Sequence, residues 1–95
     1  MNGRVPVLMA AASVAMCARS GGLTQQAVDE MRVRAEELLD RDDPLRRDVF
    51  WFATQWEAVR RDPDALALIG ALLLAAVERE TVPKVPGTDR VDLHG

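Results

Sequence analysis

The sequence predicts an all-α fold, a small bundle of four helices followed by an extended tail. Three observations carry this. Nearly half of the 95 residues are apolar while only 4% are aromatic, a composition rich in Ala and Leu that favours helix over sheet. Helix start and stop residues recur at regular intervals. Between them the apolar residues repeat with helical spacing.

The first helix is expected over about residues 6–19. Pro6 suits a first turn, and Gly21 and Gly22 end the segment. The second is expected over about 24–41, with Thr24 as N-cap and Leu23 and Val28 in the staple positions. Its stripe reads Val28, Met31, Ala35, Leu38 and Leu39, with acidic and basic residues on most of the other face. Two Asp-Pro pairs follow, Asp43-Pro44 and Asp62-Pro63. An Asp cap before a Pro at the first helical position is a start signal, so the third helix is placed at about 44–61 and the fourth at about 63–80. The short connections make neighbouring helices antiparallel. Residues 1–80 then form one domain, and 81–95, with Pro83, Pro86 and Gly87, form an extended tail. The expected core includes Val28, Met31, Leu38, Phe52, Trp56, Leu66, Ile69 and Leu73.

The first and fourth helices are apolar most of the way round. Val5 to Ala18 and Ala65 to Val77 contain no charged residue. Each stretch covers about 20 Å as helix, short of the roughly 30 Å of a bilayer's hydrocarbon core, so both read as buried helices. Ala67, Ala71 and Ala75 line one face of the fourth helix, continued by Glu78, where a neighbouring backbone can come close or the alanines stay half-exposed.

All four aromatic residues lie in the segment "DVFWFATQW", Asp48 to Trp56. Leu45, Val49, Phe52, Trp56 and Val59 form the core stripe of the third helix. Phe50 points about 160° from its centre and Trp51 about 120°. Two large side chains outside a core stripe need a second contact, either the first helix of the same chain or another molecule. Arg46, Arg47, Glu57 and Arg61 surround them, and aromatics ringed by arginine resemble the centre of an interface. The candidate partner-binding residues are therefore Phe50, Trp51, Arg46, Arg47, Glu57 and Arg61.

Other function classes fare less well. A net charge of −3 argues against general affinity for nucleic acid. Arg46, Arg47, Arg60 and Arg61 bracket the third helix, but Asp42, Asp43, Asp48, Asp62 and Asp64 balance them. The single Cys17 permits no intrachain disulfide, and one Cys with one His, His94, makes no zinc site. There is no Tyr, no Glu-x-x-His pair for a bundle metal centre and no Gly-rich phosphate loop. No catalytic residue, cofactor or metal is expected. Residues 5–18 invite a signal-peptide or anchor reading, with Arg4 as its basic region, but one Arg is a weak basic region and Pro6 interrupts the apolar start.

The expected function is thus a non-catalytic, cytoplasmic protein–protein interaction module, a homo-oligomer or a subunit that binds another protein. The alternatives are a small DNA-binding regulator, or an exported or membrane-associated helical protein using residues 5–18.

Overall fold

The computed structural model describes residues 3–81. Four helices occupy them: α1 Arg4–Ser20, α2 Gln25–Leu38, α3 Pro44–Val59 and α4 Pro63–Thr81. Among the described residues there is no strand. Residues 82–95, most of the expected tail, lie outside them.

Each boundary has a local cause. α1 ends where Gly21 takes a left-handed φ of 87°, and the Gly21 and Gly22 N–H groups both donate to the Cys17 carbonyl, at 2.9 and 3.0 Å. Thr24 caps α2, its hydroxyl accepting from the Ala27 N–H at 3.2 Å. Asp43 caps α3 through Leu45 N–H at 2.9 Å. Asp62 caps α4 through the Asp64 and Ala65 N–H groups, at 3.1 and 3.2 Å. Both Asp-Pro signals therefore act as expected.

One boundary differs by more than two residues, and it corrects the core. α2 stops at Leu38, three residues before the expected end, and Leu39 is extended, with φ −115° and ψ 146°. The stripe of α2 held two adjacent leucines, and a helix cannot point both inward. The chain turns at this pair. Leu39 swings under the bundle at 8% exposure, while Leu38, expected in the core, is 45% exposed. The other seven expected core residues are buried.

The helices form a ring in which α1 packs on α2, α2 on α3, α3 on α4, and α4 back on α1. The α1–α4 contact is the most extensive. Its closest point is Gly70. A Cβ added there would stand 2.9 Å from the Ala18 Cβ and 3.0 Å from the Ala15 carbonyl oxygen. Ala11, Ala15 and Ala18 line the facing side of α1, all buried. Small residues on both helices let the backbones meet. The expected small face of α4 is a different one. Ala71 and Ala75 are exposed and Ala67 half-exposed, and the close approach uses Gly70 instead.

The core runs from Val7 to Val77 through all four helices, with Phe52, Met31, Leu45 and Leu73 among its largest fully buried side chains. No polar or charged residue is buried among the described residues. Two polar contacts fix the ends of the bundle. At one end the Trp56 indole N–H donates to Gln25 Oε1 at 2.7 Å, tying α3 to the start of α2. At the other, the Arg4 guanidinium bridges Asp43 and Glu80, joining α1 to the α3 cap and to the last turn of α4.

Three stability outcomes follow. Trp56→Ala removes a core side chain and should cost about 3–5 kcal/mol in a urea melt, a large share of a small domain's stability. Gly70→Val should also lower the melt, because wedging α1 from α4 costs about 1–3 kcal/mol and exceeds the gain in helix propensity. Arg4→Ala should cost about 1–2 kcal/mol, whereas Arg79→Ala, which breaks an exposed pair with Asp48, should change stability by less than about 0.5 kcal/mol.

Candidate functional site

The ring order settles what lies against the aromatic pair. α1 packs on α2 and α4, diagonally across from α3, so it does not serve as the cover for Phe50 and Trp51. The two residues flank the core stripe of α3 on opposite sides. Phe50 leans toward α2 and is half-buried beside Val28 in a groove that Glu57 and Arg32 also line. Trp51 leans toward α4, into a hollow with Leu72, Leu73, Ala76, Asp48 and Arg79, and remains 41% exposed.

The six expected partner-binding residues therefore do not form one patch. Arg46 lies over the Phe50 ring, its guanidinium carbon 4.7 Å from the ring centroid. That contact covers the ring and leaves the buried Arg46 Nε without a hydrogen-bond partner, partly offset by the cation–π attraction. Glu57 lines the same groove as Phe50. Arg47 is exposed on α3. Arg61 belongs to the opposite end of the bundle, beside Arg60, where both line a hollow with Arg19 and Ser20 at the end of α1. The physical reason is helix length. Phe50 and Arg61 are eleven residues apart, about 16 Å along a helix, too far to ring one side chain.

Phe50, closed over by Arg46 and flanked by α2, is mainly a support for the α2–α3 contact. Trp51 is the member of the pair that stays open. Its neighbour Leu72 is 51% exposed, and Leu68, one turn earlier on α4, is 61% exposed. Ala71 and Ala75 are exposed on the same helix. Together these residues make an apolar strip along the outside of α4 with Trp51 on its flank. The sequence signal was present in the charge-free run Ala65 to Val77. Periodicity alone places that run in the core, because it does not say how many neighbours a helix has. α4 has two neighbours in the ring and keeps a third side free.

A second apolar surface lies on α1. Val5, Met9 and Met16 are exposed, and Val5 and Met9 border a groove toward α2 floored by Val14 and Met31 and rimmed by Glu30 and Arg34. Among the described residues, no group of three His, Cys, Asp or Glu side chains stands close enough to hold a metal ion. Cys17 is half-buried on α1. No helix among the described residues is long and apolar enough to cross a membrane.

The two aromatics should respond differently to truncation. Phe50→Ala should lower stability by about 1–3 kcal/mol, since it empties the α2–α3 groove, while Trp51→Ala should cost less than about 1 kcal/mol. Urea melts of the two variants at low protein concentration check this. Equal losses would show that Trp51 is held as firmly as Phe50.

Compared with protein-family models, with curated proteins and with solved structures, the chain shows no significant similarity to any.

Proposed function

We propose that this protein is a small, non-catalytic interaction module that works by docking a helical face against another polypeptide. The observation that carries the reading is the open strip on α4. Trp51, Leu68 and Leu72 are large apolar side chains left substantially in water by a bundle that buries Phe52 and Trp56 and half-buries Phe50. Adjoining exposed apolar side chains of this size mark contact surfaces more often than they mark accident. Trp is also among the residues most enriched at the energetic centres of interfaces.

The role is that of an adaptor, an inhibitor or an assembly subunit. Arg47, exposed on α3 one turn before Trp51, supports it as a rim charge that orients the encounter and adds more to rate than to affinity. Arg79 stands beside the Trp51 hollow in an exposed pair with Asp48 at 3.3 Å.

A tagged copy of the full chain in an extract of its own host tests the reading. It should sediment well above its 10.5 kDa monomer mass, and raising salt from about 0.1 to 0.5 M should leave the complex in place, since apolar contact is not weakened by screening. Trp51→Ala should shift material toward the monomer. A chain that sediments as a monomer in the extract and also, when purified, up to about 500 μM contradicts the module reading. A complex that dissolves steeply with salt and contains nucleic acid would replace it with DNA binding.

A further inference from the structure

The exposed strip of α4 has an internal symmetry. Its central residues are Asp64, Leu68, Ala71, Leu72, Ala75 and Arg79, all exposed, and the exposed Glu78 stands at its edge. On a helix of about 100° per residue they fall within roughly a third of the circumference. Their order is palindromic about the point between Ala71 and Leu72. Ala71 and Leu72 are equidistant from that point, as are Leu68 and Ala75, and Asp64 and Arg79. Each such pair joins unlike residues: small with large, small with large, acid with base.

From this pattern we infer that the occupant of the strip is a second copy of the same chain, docked with its α4 antiparallel across a two-fold axis between Ala71 and Leu72. The inference rests on the interaction-module reading and names its partner. A two-fold interface must match its own surface after rotation. The antiparallel pairing meets that condition at Leu68 with Ala75 and at Asp64 with Arg79. Leu68 of one copy sits over Ala75 of the other, a large side chain over a small one, while beside the axis Leu72 meets the other copy's Leu72 on one flank and the two Ala71 residues meet on the other, where the helices come close. At both ends Asp64 meets Arg79 of the other copy. Turned parallel, the same helix would set Asp on Asp and Arg on Arg.

Size and charge agree with this occupant. Asp64 to Arg79 spans about 22 Å, and a strip one helix wide has a footprint of about 220 Å². The adjoining side of α3 adds Trp51, which shares a hollow with Leu72, and the total stays below the roughly 1,000 Å² at which strong specific interfaces begin. The dimer is therefore a weak one, with a dissociation constant in roughly the micromolar range. A lipid surface fits the strip less well, because amphipathic helices that lie on membranes carry basic residues along the polar border. Here the strip carries a single base, Arg79, set against an acid, Asp64, at the opposite end.

The test is sedimentation equilibrium of the purified full chain from about 1 to 500 μM, with cysteine cross-linking to fix the geometry. The wild type should pass from monomer to dimer across that range. Leu72→Glu should weaken association by at least about thirty-fold, as loss of a central apolar anchor does, and its circular dichroism should remain helical. In a Cys17→Ala background, Ala71→Cys should cross-link to itself. Leu68→Cys and Ala75→Cys should each cross-link poorly alone and readily when mixed, since a disulfide needs its Cα atoms within about 7 Å. A wild type that is monomeric at 500 μM overturns the second-copy inference, and if the extract still holds the chain in a larger complex, the module reading stands without it. A dimer indifferent to Leu72→Glu, or one in which Leu68→Cys self-links as well as Ala71→Cys, overturns the antiparallel α4 arrangement. Vesicle binding by a chain that never dimerises overturns it in favour of a lipid surface.

Discussion

The close packing of α1 on α4 is the constraint from which the rest of the architecture follows. Gly70 has no Cβ, and the alanines opposite it leave room for one backbone to press on the other. Two helices joined this tightly bury little area per residue, because small side chains have little to bury. They gain instead from dense contact, in which many weak dispersion terms add. The larger side chains, Phe52, Met31, Leu45 and Leu73, then fill the space between this pair and the other two helices. Arg4 reinforces the arrangement at one end, since it reaches both the cap of α3 and the last turn of α4.

That constraint also explains why so apolar a chain leaves large residues in water. α1 and α4 present small residues to each other, so their large residues are distributed over the remaining faces. Some of those faces look into the core and some look out. Met9 and Met16 on α1 and Leu68 and Leu72 on α4 are on the outward faces. The polar helices α2 and α3 cannot cover them, because each already packs on its two ring neighbours. The result is a bundle with unequal sides, charged over α2 and much of α3 and apolar along the outside of α1 and α4. In such a molecule the seam and the outer surface are coupled, because small residues turned toward each other between α1 and α4 leave large ones for the other faces.

Much of this was legible in the sequence. Thr24, Asp43-Pro44, Asp62-Pro63 and Gly21-Gly22 are local devices, and each acts within a turn of where it stands, so the helices could be placed to within a few residues. The core stripe of α3 was legible for the same reason. What was not legible depends on neighbours. Leu38 and Leu39 carry the same periodic signal, and only the turn toward α3 decides which one is buried. Gly70 inside α4 reads as a small helix defect, whereas its role comes from Ala15 and Ala18, more than fifty residues away in sequence. Phe50 and Trp51 were rightly set outside the core stripe, but the ring order sends them to different neighbours. Arg4, which as sequence is only an isolated charge before an apolar run, bridges two distant helix ends.

If the α1–α4 seam organises the bundle, its amides should be the last to open. Native-state hydrogen exchange across low urea concentrations measures this directly. The predicted result is that amides of Ala11 to Ala18 on α1 and Ile69 to Leu73 on α4 exchange slowest and together, with the free energy of global unfolding, while the C-terminal turn of α2 opens first. Fast exchange throughout α1 with α2, α3 and α4 still protected would contradict the account, because it would make α1 a detachable segment laid on a three-helix core.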